Sequence, residues 1–345
     1  THPTRPEIQL LSPDFYDRFD ELTAWMRTNA PLYWDDSTGI WGASTHELVS
    51  MMSRDWHTFC SGKGSRPESA VPSMINIVAD IATPLPMYMI GELMGLPDSD
   101  YHQLLHWSDL FATGGDAIRS EVEQAVGEYW AYIMGHVQQR RGGDDDDLVS
   151  LIVNSRDDEG PFTDADLVME TMLVLVGGDE TTRHVISGGV EALLRHPDQL
   201  ERLRREPELL PGAIEEMLRW VTPVRNMNRT ATTDIVVNGQ QVREGDRILL
   251  LYPSANRDER VFDHPERFDI TRTPNDHFAF GAYGRHHCLG APLARLELRV
   301  LFEELLARLE DLRLVDDGPQ PRRRGNFVLG LNSVPVRFRP GPRRG

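Results

Sequence analysis

The chain has 345 residues, 40% of them hydrophobic and 26% charged, and 36 Lys and Arg against 54 Asp and Glu leave a formal net charge of -18. This is the composition of a folded globular protein rather than a disordered or fibrous one. The negative balance argues against nucleic acid or anionic lipid as the main partner, because both need a positive footprint.

Length permits one large domain or two ordinary ones. The first residues, Thr1 to Glu7, contain no apolar stretch, and the strongest apolar run, which starts at Leu167, is broken by Glu170. Neither a signal peptide nor a membrane span is expected. Cys60 and Cys288 lie far apart and form no disulfide framework, which suits a reducing, cytoplasmic setting.

In chain order, the pattern predicts helices over Glu121 to Arg140, Asp164 to Arg195, Pro197 to Glu206, Gly212 to Trp220 and Leu289 to Leu309. Between the first two, Gly142-Gly143 and four aspartates from Asp144 to Asp147 read as a solvated loop; the spacing lacks the alternation of a calcium-binding EF-hand. Strands are predicted at Ile235 to Val237, Arg247 to Leu251 and Val334 to Phe338. The fold class is therefore mainly α with small β-sheets.

The helix from Asp164 to Arg195 would run roughly 48 Å at 1.5 Å per residue, enough to cross a domain. Thr163, with Asp166 three residues on, caps its start. Its first half is apolar on most faces, as expected of a helix surrounded by protein.

Gly177-Gly178-Asp179-Glu180-Thr181-Thr182 stands in the middle of that helix. Each glycine costs about 1 kcal/mol relative to alanine in a helix interior. Two readings account for the cost: close helix packing, or room for a ligand beside an acid and a hydroxyl that handle protons. Glu216 and Arg219, at i and i+3, share a helix face, and Phe262-Asp263-His264-Pro265-Glu266-Arg267-Phe268 is a loop that would bring Arg267 near that acid.

The sharpest signal is Phe280-Gly281-Ala282-Tyr283-Gly284-Arg285-His286-His287-Cys288-Leu289-Gly290, followed by a helical segment from Ala291. A cysteine at a helix start, next to Arg and His, is favoured as thiolate and suits a soft metal. An inert buried cysteine, a nucleophile paired with histidine, and a zinc site with His286 and His287 stay open on this motif alone. Zinc is weakened by the absence of any two-residue cysteine spacing.

Taken in order, these motifs resemble the cytochrome P450 superfamily from about Trp41 to Phe338. The resemblance implies a single large domain, spanning 1–345, built around the long central helix. It also implies haem b (iron protoporphyrin IX) with Cys288 as proximal thiolate, and Glu180 and Thr181 as the acid-alcohol pair that supplies protons on the distal side. Glu216 and Arg219 match the family's helix pair, with Arg267 as loop partner. His286 and Arg229 match positions that hold haem propionates. Dioxygen and an apolar substrate follow, with electrons from a ferredoxin and its reductase, since the chain shows neither a flavin fingerprint nor a cluster of cysteines. Arg285, Arg295 and Arg299 are the candidate dock for that partner.

Leu167 to Arg229 and the C-terminal stretch Asn326 to Pro335 look most like bacterial enzymes that hydroxylate the alkyl side chain of steroids. Val174, Gly178, Val224, Met227 and Leu329 are then the candidate pocket residues. Another terpenoid, a fatty acid or a biosynthetic intermediate as substrate, or a non-catalytic haem-binding role, are the alternatives.

Two departures stand out. Phe280 and Cys288 are one residue further apart than usual, with Tyr283 as the extra residue. Met74-Ile75-Asn76-Ile77 also runs straight into Val78-Ala79-Asp80, where the family has several tens of residues including His and Arg that reach the propionates. A distal segment is expected to be missing between Ile77 and Val78, at a join that shows no turn residues; a normal Cα separation there, about 3.8 Å, would count against this.

Overall fold

The computed structural model describes residues 3–54, 73–112, 119–157, 160–281, 284–323, 325 and 327–341. The chain forms two compact units, 1–73 and 74–345. Cys60, Tyr283 and Asn326 lie outside the described residues.

In the first unit, α1 (Pro13–Asp17) and α2 (Phe19–Asn29) precede an antiparallel pair, β1 (Leu32–Asp35) and β2 (Ile40–Ala43), followed by α3 (His46–Arg54). Ile8, Leu10, Phe15, Leu22, Met26 and Tyr33 form its small core. Asp35 is buried and accepts bonds from the Leu10 amide and from Ser37 and Thr38, so its charge is satisfied.

Strand β3 (Ser73–Asn76) leads into the second unit, followed by a π-helical turn at Val78–Ala82, α4 (Pro84–Leu93), α5 (Tyr101–Ala112), α6 (Arg119–Arg140) and α7 (Leu148–Asn154). A short hairpin, β4 (Arg156–Asp157) and β5 (Gly160–Pro161), leads into α8 (Asp164–Arg195). Then come α9 (Pro197–Arg205) and α10 (Leu210–Val221), and four strands: β6 (Asn226–Thr230), β7 (Ile235–Val237), β8 (Gln240–Val242) and β9 (Arg247–Leu251). The chain ends with α11 (Tyr252–Ala255), α12 (Ala291–Arg308), β10 (Leu309–Leu314) and β11 (Pro335–Pro340). Strand β6 pairs with β9, β7 with β8, and β10, β11 and β3 make the one three-stranded sheet among the described residues.

The mainly helical class and the limits of α8 are as expected, and α8 has the predicted capping box between Thr163 and Asp166. Its first half packs with α4 to α7 around Leu104, Tyr129, Ile133, Leu167 and Leu175. Its second half packs with α10, α12 and β11 around Ile186, Met217, Phe302 and Val336. A β-carbon on Gly189 would lie 2.9 Å from the sulfur of Met217 and 3.1 Å from Phe302, so glycine there lets three helices close together.

The 142–147 loop holds no calcium-like ligand set; among the described residues no such cluster of His, Cys, Asp and Glu occurs. Asp147 instead caps α7 through the Ser150 amide and pairs with Arg140 at 3.0 Å.

Ile77, in helical backbone with φ -52° and ψ -37°, precedes the π-helical turn that starts at Val78. Turn chemistry, which was not legible at this join, comes from Asn76: its Oδ1 accepts from the amides of Val78 and Val334, and its Nδ2 donates to Ser333 Oγ. The Ile77 amide donates to the Val334 carbonyl.

Candidate functional site

The cysteine loop is built by hydrogen bonds to the segment before it. The Cys288 amide donates to the Phe280 carbonyl at 3.0 Å, and the Phe278 amide donates to Oδ1 of buried Asn256. Gly281 and Gly284 have φ of +78° and +121°, which a side chain would strain. Cys288 lies three residues before α12, and its carbonyl accepts from Ala291, the first helical residue. Its thiol is exposed, and Leu289 beside it is 92% exposed.

Beneath this loop Arg295 of α12 stacks 4.5 Å over Phe280 and pairs with Glu215 of α10 at 2.7 Å. His277 Nε2 meets the same carboxylate at 3.1 Å. Burial works to raise the Glu215 pKa, but the bonds from Arg295 and His277 outweigh it and bring it down to about 2. Arg299 lies 3.9 Å from Glu303. Of the three arginines expected to form a dock, two are thus turned to carboxylates of the chain itself.

Glu216 and Arg219 are both fully buried and bonded to each other at 2.8 and 2.9 Å. The guanidinium of Arg219 also donates to the carbonyls of Asn256 and Pro265. The expectation for Arg267 needs correcting: its side chain is exposed and only its carbonyl takes part, accepting from Arg219 and Arg272. Arg272, five residues on, supplies the second guanidinium, 3.1 Å from Glu216 Oε2. The loop turns between the two positions, and the Asp269 amide also donates to Glu216, which brings the later arginine inward.

On α8 the two glycines do different things. A β-carbon on Gly178 would lie 2.6 Å from Ile90 of α4, so this glycine, expected in a pocket, serves helix packing. Gly177 has open space beside it, and the Thr181 hydroxyl donates back to its carbonyl at 2.8 Å. Glu180 is fully buried. Arg323 Nη1 donates to its Oε2 at 2.6 Å, Arg183 Nη1 lies 3.1 Å from Oε1, and His184 Nε2 lies 3.4 Å from Oε2. Burial alone would raise the acid's pKa; His184, Arg183 and Arg323 together bring it down to about 2. Arg183 also binds Asp179 and Asp109.

Of the candidate pocket residues, Val224 and Leu329 come together through the pairing of Val224 with Val328 and the bond from the Leu329 amide to the Pro223 carbonyl. Met227 is half-buried on β6, opposite Leu250. Val174 packs instead on the core of α4 to α7. His286 is exposed, and Arg229 donates to the carbonyl of its neighbour Asn228.

A model of the cytochrome P450 family matches residues 86–338. The chain belongs to the cytochrome P450 family. Steroid C26-monooxygenase of Mycolicibacterium smegmatis is 40% identical to this P450 across 98% of its chain and 97% of the relative's. That alignment runs over 395 positions against 345 residues here, so at least 50 positions of the relative have no counterpart in this P450. Among solved structures, the P450 PksS of the Bacillus subtilis bacillaene polyketide synthase is 34% identical with a TM-score of 0.72, over 85% of this chain and 72% of that one. CYP109E1 of Bacillus megaterium, in complex with testosterone, is 27% identical with a TM-score of 0.69, over 92% of this chain and 98% of that one.

This P450 is a monooxygenase, and its family implies haem, an apolar substrate, dioxygen and redox partners. The exposed thiol of Cys288, with exposed Leu289 beside it, fits a residue that would hold haem iron. No described helix is long and apolar enough to cross a membrane.

Sequence reading missed Arg323, which sits in the run Arg322-Arg323-Arg324 and looks like a solvated charge. It also missed Arg272, Glu215, His277 and Asn256. The one available signal was Arg183, spaced three and four residues after two acids on a helix that had to be buried.

Proposed function

We propose that this P450 hydroxylates the alkyl side chain of a steroid, with haem b held by Cys288 and its propionates by His286 and Arg229. The observation that carries the substrate class is the likeness to a steroid C26-monooxygenase along nearly the whole chain. Val224, Met227 and Leu329 are the pocket residues this reading uses. Ferredoxin with its reductase is the electron source, and the cytoplasm the setting.

Haem ligated by a thiolate supplies the oxygen activation. The protein's part is proton control and placement of the substrate. The Thr181 hydroxyl spends its hydrogen on the Gly177 carbonyl, which leaves its oxygen as an acceptor. Glu180, beside it, is held as carboxylate by Arg323 and Arg183, and takes up a proton when those cations let go.

The chain is read as one monooxygenase domain that lacks a distal segment between Ile77 and Val78. Support comes from the 50 or more positions of the steroid enzyme that find no counterpart here. Grafting the relative's segment into this join should tighten haem retention; no gain would count against the reading.

The substrate test is titration of haem-loaded protein with a sterol and with its side-chain-truncated analogue, followed by the haem absorption spectrum. A shift with the first and a much weaker one with the second are expected. A shift only with polyketide-like acids would favour the second reading, a biosynthetic intermediate, which the likeness to PksS supports. Replacing Cys288 by His should abolish the thiolate-type shift of the reduced, carbon monoxide-bound form.

A further inference from the structure

Six titratable or charged groups meet around α8. Helix α5 presents Asp109, and Ser108 beside it; α8 presents Asp179, Glu180, Arg183 and His184; the segment before β11 presents Arg323. Glu297 of α12 is a further acid, its pKa raised by burial and by the charge of Asp179. Asp109, Asp179 and Glu180 face the guanidiniums of Arg183 and Arg323, with His184 3.4 Å from Glu180, and an unbalanced buried charge is expensive. The charge balance of the cluster therefore turns on which of these acids, or His184, carries a proton.

Its place follows from the contacts. Both oxygens of Glu180 lie against cations, Arg183 at Oε1 and Arg323 at Oε2. The side chain of Asp109 is 42% exposed and pairs with both arginines. Asp179 is fully buried; its Oδ2 accepts from Ser108 and Arg183 at 2.9 and 2.6 Å, while its Oδ1, like Glu180 Oε1, accepts no hydrogen bond. A cavity of about 480 Å³, lined by Asp109, Arg183, His184 and Arg323 among others, reaches Arg183, the neighbour to which Asp179 is bonded.

We propose that Asp179 holds the exchangeable proton of this cluster and is the positioning residue that decides how much of Arg183's charge is left for Glu180. With Asp179 protonated, Arg183 turns its charge on Glu180 and Asp109; once the proton leaves, Asp179 competes for the same guanidinium. The proposal rests on the reading of Glu180 and Thr181 as the proton-handling pair. Burial, with repulsion from Glu180 and Asp109 and against the pull of Arg183, raises the Asp179 pKa to about 7, which agrees with the geometry.

The test is infrared spectroscopy of the protein, with and without haem, across a pH titration, reading the carbonyl band of protonated carboxyls. Part of that band should fade as pH rises through about 7, and this part should be missing in Asp179→Asn and present in Glu180→Gln and Glu297→Gln. An unchanged titrating band in Asp179→Asn overturns the proposal. If that variant does not fold, Ser108→Ala removes a bond that favours the charged form, so the midpoint should move up; an unmoved midpoint overturns it equally. The positioning role is read from product formed per dioxygen consumed: its change around neutral pH should flatten in Asp179→Asn, and a native profile there overturns that role. A native yield in Glu180→Gln would instead overturn the relay reading, while the infrared band tests the proton's place independently.

Discussion

Arg323 Nη1 lies 2.6 Å from Glu180 Oε2, across 143 residues of sequence, and ties the segment before β11 to the centre of α8. Glu180 is fully buried, so breaking this pair from the arginine side leaves a carboxylate with less compensation.

Arg323→Ala should therefore lose roughly 3–5 kcal/mol, the range for removing one partner of a buried pair. The pH dependence carries a sign. Glu180 is depressed from 4.5 to about 2, so it contributes stability above pH 4.5 that is lost as pH falls toward 2. With Arg323 gone the folded-state pKa rises and that acid loss shrinks. Urea unfolding of both proteins from pH 2 to pH 7 checks both statements, and parallel curves would contradict the second.

Gly330 should not accept even a methyl group. Its β-carbon would fall 1.9 Å from His184 Nδ1 and 2.1 Å from the ring's Cγ, and the buried imidazole, itself 3.4 Å from Glu180, has to move away. Gly330→Ala is expected to cost about 1–3 kcal/mol, as overpacking does. A denaturation midpoint within error of the native one would show that the ring relaxes freely.

Arg272 and Arg267 make a paired test of the knot around Glu216. Arg272→Ala removes a guanidinium 3.1 Å from a fully buried carboxylate and should destabilise by about 2 kcal/mol or more. Arg267→Ala leaves the carbonyl that Arg219 uses and should fall within about 0.5 kcal/mol of native. Equal losses in thermal unfolding would mean that the Arg267 side chain matters as well.

Electron delivery gives a further contrast. Arg285 is exposed, whereas Arg295 holds Glu215 and covers Phe280 beneath the cysteine loop. On the proposed reading that ferredoxin delivers the electrons, Arg285→Glu should slow that reduction and weaken its salt dependence while leaving the unfolding temperature unchanged. Arg295→Glu should lower the unfolding temperature as well, since it puts two carboxylates together. Stopped-flow reduction at two ionic strengths, with melting curves, separates the two.

Much of the architecture could be read locally. The limits of α8 were legible because its cap, Thr163 with Asp166, and its end at Arg195 before His196-Pro197 are set by neighbours in sequence. Glu216 and Arg219 were legible for the same reason, three residues apart on one turn. Gly177 and Gly178 look alike in sequence, yet one faces open space and the other Ile90, because which face of α8 meets α4 depends on packing.

The amino-acid sequence by itself determined the helical class and the central helix with its cap. Each of these rests on short-range spacing. Only the tertiary structure decided which cation meets which acid: Arg323 on Glu180, Arg272 rather than Arg267 on Glu216, and Arg295 on Glu215. An arginine reads the same in a solvated run and in a buried pair. What separates them is the desolvation each charge undergoes when distant segments close over it, a property of the folded chain and not of its local sequence.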